Sequence, residues 1–316
     1  MQEQLAAPNT SLTPLYNQPR LRQTKDLSQI FRTTDALCSS LMSDAGGLVA
    51  RPCKTLEDLE AAYKLVYREY IRRGYCAPNP AEIHYSFYCT LPKTRTFILE
   101  RRGVVVATIS FLPDSPCGLP MDSSFSNHIS PFRDSGRKLS EVGLLSLDSQ
   151  VFSPRQFSLA DTEKLSALFR IIRIMFDHAR AVDTDDLVIV VNPKNTVIYD
   201  YLKFDRLGEQ DTYGGANGAQ AVALRMDFKA ILPKLHAFFH QTYNTFSIER
   251  YFDWDKKTIH EFLFRKRPLW QKLPPSMQER IQSYLEIDLK HETFVDQAWD
   301  PAENNRNCDI AEKVAS

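Results

Sequence analysis

The chain has 316 residues, of which 43% are hydrophobic, so it can bury a full core and is expected to form one large domain with appendages. Lys plus Arg total 39 and Asp plus Glu total 39, and this formal net charge of +0 argues against nucleic acid as a partner. The six cysteines lack CxxC or Cys/His spacing and the seven histidines are unclustered, which predicts reduced thiols, a cytoplasmic protein and no metal site.

The sequence pattern divides the chain into four segments. Residues 1–46 are rich in Gln, Pro, Thr and Ser and predict a poorly ordered N-terminal segment. Residues 47–228 alternate strand and helix patterns and predict the main domain. Residues 229–300 predict a helical C-terminal extension interrupted by prolines, and residues 301–316 predict a mobile tail.

The elements of the main domain follow in chain order. The predicted elements are a strand over 48–52, a capped helix from Thr55 to Gly74, a hairpin of strands 96–100 and 104–112, a strand over 139–147, a helix over 161–182, a strand over 187–191, a helix over 193–202 with Asn192 as N-cap, and a strand over 221–226. This order indicates an α/β (mixed α+β) fold in which helices cover both faces of a mixed sheet.

One acidic residue interrupts an apolar strand. Glu141 lies in Leu139-Ser-Glu-Val-Gly-Leu-Leu-Ser-Leu147, and burial would raise its pKa into the range of a useful proton acceptor. The strand over 187–191 runs into a helix that carries Tyr199, a candidate proton donor. A carboxylate satisfied by backbone or arginine contacts at a strand edge is the structural alternative for Glu141.

Several short motifs in one order carry a resemblance to a known family. They are Tyr67-Arg68 running into Gly74-Tyr75, Gly118-Leu-Pro-Met-Asp122, Leu139-Ser-Glu-Val-Gly-Leu144, and Val191-Asn-Pro193 followed by Tyr199. In this order, over about residues 48–228, the chain resembles the FeeM-like long-chain N-acyl amino acid synthases. Those enzymes belong to the GNAT superfamily and are relatives of the acyl-homoserine-lactone autoinducer synthases. The resemblance implies a GNAT-like twisted sheet, splayed between the Glu141 strand and the Leu187–Val191 strand.

The resemblance also implies roles for residues around this splay. A bulge in the Glu141 strand would let backbone groups of Gly143, Leu144 and Leu145, with Asn192 opposite, bind pantetheine and the thioester oxygen. Close packing explains Gly143 equally well. Tyr199 would protonate the leaving thiolate, although an apolar helix face also explains it and Tyr201 competes for the role.

The donor side departs from the usual GNAT pattern. GNAT enzymes follow this strand with a glycine-rich loop that binds the pyrophosphate of coenzyme A, whereas this chain has no glycine between Gly143 and Gly208. This absence favours an acyl-phosphopantetheine thioester on acyl carrier protein over acyl-CoA as co-substrate, with no permanently bound cofactor. A basic docking patch for the acidic carrier would comprise Arg155, Lys164, Arg170 and Arg173. Solvated helix charges explain the same residues.

The acceptor side is expected at the end of the first helix. Arg68 and Arg72 could bind the carboxylate of an amino acid acceptor, although surface arginines are more often solvated. The segment His84-Tyr-Ser-Phe-Tyr-Cys89 lacks the acidic residues that autoinducer synthases carry, and His84 is expected near the surface. The aromatic segment 238–254 could wall an acyl tunnel, make peripheral contact with a membrane, or pack in the core.

These observations predict a long-chain N-acyltransferase that makes an N-acyl amino acid. Two alternatives stay open at this level. The first is an autoinducer-like or export-associated acyltransferase with a different acceptor. The second is a catalytically silent sensor that binds an acyl thioester and signals through its C-terminal helices.

Overall fold

The structure is a computed structural model that describes residues 47–152, 159–208, 211–238, 252 and 254–285. The predicted N-terminal segment 1–46 and tail 301–316 lie outside the described residues, as does most of the aromatic segment 238–254. The predicted division into four segments therefore stays a prediction.

Eight strands form the sheet. They are β1 (Leu48–Pro52), β2 (Arg95–Arg101), β3 (Val104–Pro113), β4 (Leu139–Leu147), β5 (Asp186–Val191), β6 (Asp205–Arg206), β7 (Asp211–Tyr213) and β8 (Ala219–Asp227). The strand order is β1-β2-β3-β4-β5-β8-β6, and β7 also pairs with β8. Only β4 and β5 run parallel, and the other pairs are antiparallel.

Seven α-helices are described around this sheet. They are α1 (Leu56–Arg73), α2 (Asp122–Asp134), α3 (Leu159–Ala181), α4 (Thr196–Tyr201), α5 (Phe228–Phe238), α6 (Lys256–His260) and α7 (Pro275–Leu285). A π-helical turn, Glu261–Lys266, continues α6, and a 3-10 turn, Phe87–Thr90, lies between α1 and β2. None of the described helices is both long and apolar enough to cross a membrane.

Side chains that alternate along β2 and β3 separate two layers of core. Ile98 and Leu112 pack with Tyr63 of α1 on one face. Phe97 and Phe111 contact the ring of His178 of α3 on the other face, with ring centroids 5.6 and 4.9 Å apart. Because successive strand residues point to opposite faces, this places α1 and α3 on opposite sides of the sheet. The predicted fold of a mixed sheet with helices on both faces is confirmed.

Local chemistry explains why α1 begins and ends where the sequence predicts. The Thr55 side chain accepts a hydrogen bond from the backbone N–H of Asp58, and Asp58 accepts one from the backbone N–H of Thr55, forming a capping box. Gly74 ends the helix in the left-handed region, with φ of +73°. These two caps fix the length of α1. Its last turn lies beside the sheet, next to the end of β4.

Two differences from the sequence pattern concern the site. Helix α2 is not predicted by its sequence, because Pro131 and several Ser and Asn residues obscure the helical period, and the backbone is non-helical at Phe125. The predicted helix over 193–202 begins instead as a 3-10 turn, Pro193–Asn195, before α4. Asn192 caps that turn, since its side chain accepts a hydrogen bond from the N–H of Lys194.

Candidate active site

The two central parallel strands separate after three paired positions. Leu139, Ser140 and Glu141 of β4 align with Asp186, Leu187 and Val188 of β5, and the pairing ends there. The remainder of β5, from Ile189 to Val191, pairs only with β8 among the described strands. The strands therefore open a cleft whose closed end is at Glu141, as the family resemblance implies.

A bulge in β4 bends that strand away from β5. Thr108 and Ser110 are two residues apart on β3, whereas their partners Ser146 and Gly143 are three apart on β4, so β4 carries one extra residue. The left-handed residue of the bulge is Leu144, with φ of +53°, not the glycine. A Cβ at Gly143 would lie 3.2 Å from Cδ1 of Leu112, so the close-packing explanation for this glycine also has support.

Two residues of the bulge lie outside the ladder between β3 and β4. Neither Leu144 nor Leu145 has a register partner on β3, and β5 no longer pairs with β4 at this level among the described residues. Both side chains are partly exposed. Backbone N–H groups that have left the ladder are suited to stabilise negative charge on a thioester oxygen. The roles predicted for Gly143, Leu144, Leu145 and Asn192 are compatible with this placement and stay predictions.

Glu141 is a buried carboxyl group at the closed end of the cleft. It is 4% exposed, and its Oε2 accepts a hydrogen bond of 2.8 Å from the backbone N–H of Met121. Burial raises its pKa from 4.5 to about 8, the Met121 N–H lowers it, and the charge of Asp122 raises it. No arginine or lysine among the described residues pairs with it, whereas the Met121 N–H is a backbone contact of the kind that the structural alternative requires, so the catalytic role of Glu141 stays a prediction.

An arginine network holds the loop that contacts Glu141. Arg133 of α2 binds Asp114 through Nε at 2.6 Å and Asp122 through Nη2 at 3.0 Å. The carboxylate of Asp122 also accepts the backbone N–H of Leu119 at 2.7 Å. The loop that precedes α2 is thereby fixed with its Met121 N–H directed at Glu141.

Four tyrosines are linked electrostatically to Glu141 or to one another. Burial raises the pKa of Tyr88, and the charges of Asp122 and Glu141 raise it further. Burial and the charge of Glu141 raise the pKa of Tyr213. Tyr70 of α1 contributes to the raised pKa of Tyr213, and Tyr199 of α4 contributes to that of Tyr70. We call Tyr70, Tyr88, Tyr199 and Tyr213 the tyrosine group.

Tyr199 of this group has the properties required of a proton donor. It is 8% exposed, packs edge-on against Phe204 at 5.7 Å, and burial raises its pKa to about 12. Its hydroxyl therefore keeps its proton at neutral pH. The side chain of the competing Tyr201 lies outside the described residues. The catalytic role of Tyr199 stays a prediction.

The predicted acceptor arginines lie elsewhere. Arg68 forms an ion pair with Asp148 at 2.9 Å, and Arg72 forms one with Oε2 of Glu69 at 2.8 Å. The other carboxylate oxygen of Glu69 accepts a hydrogen bond from the backbone N–H of Ser149. Asp148 follows β4 seven positions after Glu141, about 20 Å along the strand at a rise of about 3.3 Å per residue. An amino acid held there would lie far from Glu141, so this placement does not support the acceptor role, which stays a prediction.

The predicted docking patch is only partly on the surface. Arg155 lies outside the described residues, and Lys164 is exposed. Arg170 donates to the carbonyl oxygen of Leu48, and Arg173, only 11% exposed, lies 4.0 Å from the carboxylate of Asp177. Two of the four predicted docking residues, Arg170 and Arg173, therefore point towards the protein interior, because their side of α3 packs on the sheet.

Two residues of the tyrosine group carry no signal in the sequence. Tyr88 and Tyr213 lie in a 3-10 turn and a three-residue strand, neither of which has a helical or alternating pattern. His84, expected near the surface, is buried at 8% exposure against the ring of Tyr70. No group of three or more metal-ligating side chains is present in the described part of the chain.

The splayed pair of parallel strands, the bulge and the buried acid at their junction define an acyltransferase of the GNAT type. The solved structure of FeeM, an N-acyl amino acid synthase from uncultured soil microbes, is 27% identical, with a TM-score of 0.51, and covers 61% of this chain and 96% of its own. A family model described as N-acyl amino acid synthase FeeM matches residues 61–227, more than half of the chain. The chain belongs to this family.

Two further solved structures match part of the chain at lower identity. The AHL synthase LasI is 16% identical, with a TM-score of 0.43, and covers 57% of this chain and 90% of its own. An N-acetyltransferase from Staphylococcus aureus Mu50 is also 16% identical, with a TM-score of 0.38 over 58% of this chain and 98% of its own. Among curated proteins, none matches the sequence.

Proposed function

We propose that this protein transfers a long-chain fatty acyl group from a thioester on acyl carrier protein to the α-amine of an amino acid. The observation that carries the proposal is Glu141, a carboxyl group that is buried where β4 and β5 separate and has a pKa raised to about 8. A base whose pKa lies near the working pH is suited to accept a proton from an amine.

The reaction needs three groups, and the cleft offers a candidate for each. Glu141 accepts the proton that the amine loses as its nitrogen attacks the thioester carbon. The backbone N–H of Leu144 or Leu145 stabilises the oxyanion, and such a donor is typically worth about 3 kcal/mol of barrier. The C–N bond forms, the C–S bond breaks, and Tyr199 gives its proton to the departing thiolate and is later reprotonated from solvent.

Acyl carrier protein is favoured as the donor by the stretch after β4. That stretch lacks the glycines that a pyrophosphate cradle requires, and a carrier presents a single phosphodiester. Arg68 and Arg72, with exposed fractions of 53% and 56%, lie at this end of the cleft beside Ser149. Together with Lys164 they supply positive charge for an acidic carrier. The paired carboxylates of Asp148 and Glu69 offset part of this charge.

Mass spectrometry of reaction extracts tests this function directly. The full-length protein is incubated with palmitoyl acyl carrier protein and a mixture of the common amino acids. An N-palmitoyl amino acid supports the proposal, whereas donor binding without product supports the sensor alternative. Equal kcat/KM with palmitoyl-CoA would overturn the argument from the missing glycines but leave the acyl transfer intact.

The matched variant for this assay is Glu141→Gln, which keeps the shape of the side chain. It should lose most turnover while binding the donor as tightly as the native protein. Glu279→Gln, which changes an exposed glutamate of α7, is the control and should keep full turnover.

A further inference from the structure

The loop that joins β3 to α2 is held against the candidate base at both of its ends. At its start, the backbone N–H of Asp114 donates to the carbonyl oxygen of Leu139, two positions before Glu141 on β4. At its end, Met121 is fully buried in a core cluster with Leu139 and Val188, and Val188 is the register partner of Glu141 on β5. The backbone N–H of Met121 reaches Oε2 of Glu141 at 2.8 Å. The position of this loop therefore decides whether the carboxyl group keeps that hydrogen-bond donor.

Arg133 of α2 joins the two ends of the loop. Its guanidinium donates to both carboxylate oxygens of Asp114, at 2.6 and 3.1 Å, and to both of Asp122, at 3.2 and 3.0 Å. Asp114 begins the loop, and Asp122 directly follows Met121. Oδ2 of Asp122 also accepts the backbone N–H of Leu119 at 2.7 Å. A planar guanidinium with five N–H donors can hold two carboxylates in one arrangement, whereas a single ammonium group cannot.

Gly118, within the loop, allows Asp122 to take this position. The glycine has a φ of +77°, and a Cβ there would lie 2.5 Å from Oδ2 of Asp122. Any other residue would push against the carboxylate that Leu119 and Arg133 bind, besides being strained at this φ. The glycine and the ion pairs therefore specify the same loop conformation.

The side chains that act on the charge of Glu141 come from three elements outside its own strand. Asp122 of α2 is ionised, whereas Tyr88 of the 3-10 turn and Tyr213 of β7 are phenols whose pKa burial raises above the usual range. The register partners of Glu141 on β3 and β5 are both apolar. In the described part of the chain, Asp122 is thus the charged neighbour of Glu141.

Loss of Arg133 would act on Glu141 in one direction by two routes. Without the ion pairs, the Met121 N–H can leave Glu141, which removes a donor that favours the carboxylate over the acid. The carboxylate of Asp122 would also lose the cation beside it, and an uncompensated anion disfavours a second one nearby. Both effects make Glu141 hold its proton more tightly.

We propose that Arg133 is a positioning residue for the candidate base, which keeps the Met121 N–H on Glu141 and so fixes the pH at which Glu141 releases its proton. The inference rests on the function proposed above, in which Glu141 accepts the proton of the amine. Arg133 acts through the two aspartates and the backbone of the loop.

The first measurement needs no turnover. Urea denaturation from pH 5 to pH 10 is applied to the native protein, to Glu141→Gln, and to both with Arg133→Gln added. The stability gained on replacing Glu141 rises with pH and becomes constant above the pKa of the folded protein, which is about 8. With Arg133→Gln, the constant value should be reached about 1 pH unit higher, as expected for the loss of a hydrogen bond to a charged group.

The second measurement is the pH dependence of acyl transfer from palmitoyl acyl carrier protein to the best amino acid acceptor. Arg133→Gln should lower kcat/KM about 10-fold at pH 7 and recover most of this loss near pH 10, where Glu141 is ionised in the variant as well. A smaller fraction of folded protein would instead lower kcat/KM by one factor at every pH.

Arg51 provides a matched control. It also bridges two carboxylates, those of Asp58 and Glu100 at 2.6 and 2.7 Å, but it lies on β1 at the edge of the sheet. Arg51→Gln should destabilise the protein without moving the pH at which the gain from Glu141→Gln becomes constant. Arg133→Lys keeps the charge but cannot hold both carboxylates, so it should give a smaller shift in the same direction as Arg133→Gln.

Gly118→Ala disturbs the loop without removing a charge. Its Cβ would displace Asp122 from the Leu119 N–H, so the pH should shift upwards as it does in Arg133→Gln. If Arg133→Gln does not fold, Arg133→Lys and Gly118→Ala decide the result.

The proposal is overturned if the folded variants of the loop reach the constant value at the native pH or below it, or shift no more than Arg51→Gln does. A native protein that acylates no amine refutes the proposed function, and the urea measurement then still decides the role of Arg133.

Discussion

Replacement of Glu141 by glutamine should change the free energy of unfolding in a way that depends on pH. Folding raises the pKa of this carboxyl group from 4.5 to about 8, chiefly by burial. The folded protein therefore holds a proton that the unfolded chain releases. The stabilisation from that proton is complete below about pH 4.5 and is lost as the pH rises through about 8.

The magnitude follows from the two pKa values. At about 1.36 kcal/mol per pH unit, the native protein should lose about 3 kcal/mol by pH 7 and about 5 kcal/mol by pH 9, relative to pH 4.5. Glu141→Gln has no proton to lose, and its amide oxygen can still accept the N–H of Met121. The variant should therefore gain stability over the native protein by these amounts as the pH rises.

Urea denaturation of both proteins from pH 5 to pH 9 measures the difference. Glu279→Gln should differ from the native protein by no more than about 0.5 kcal/mol at every pH, as expected for an exposed position. A difference between Glu141→Gln and the native protein that does not vary with pH would refute the reasoning, because Glu141 would then titrate alike in the folded and unfolded states.

Five further results are expected. Native kcat/KM should rise with pH through about 8 as Glu141 loses its proton, and Glu141→Gln should lower kcat by about 10² to 10⁴, measured by product mass spectrometry; full activity would contradict the base assignment. Tyr199→Phe should lower kcat by about 10² with little change in either KM in steady-state assays, and unchanged kcat would assign the proton to solvent. Arg68→Gln should raise the KM for the carrier donor and leave that for the amino acid unchanged; the reverse pattern would support its acceptor role. Gly143→Ala should cost less than about 1 kcal/mol in urea denaturation, because its Cβ meets only a methyl group of Leu112, and a larger cost would make close packing the reason for the glycine.

Local patterns in the sequence predict most of the scaffold. The strand over 139–147 has the predicted bounds, and the hairpin of β2 and β3 turns at Arg102 and Gly103, both with positive φ. Such elements are set by alternation, capping and turn chemistry within a few residues. Helix α2 escapes prediction because its residues favour turns, and it forms where Arg133 joins Asp114 to Asp122.

The candidate site also contains one residue that the sequence reveals and others that it does not. Glu141 is recognisable because an acid within an apolar strand is chemically unusual, and the end of β4–β5 pairing at that residue gives it a cleft. Tyr88, Tyr213 and His84 are not recognisable from the sequence as neighbours of this site. Each comes from a turn, a short strand or a connecting segment, and nothing in its local sequence indicates its neighbours.

The sequence by itself determined the order of the elements, the buried acid and the absence of a glycine loop, because these depend on composition and short-range periodicity. Tertiary structure decided which arginines have an acidic residue as a partner. Arg68, Arg72 and Arg173 are cationic in any conformation, but folding places an acid beside each of them. Arg267 donates to the backbone carbonyl of Tyr85 instead, because the segment that carries Phe262 and Arg267 packs on the connection between α1 and β2.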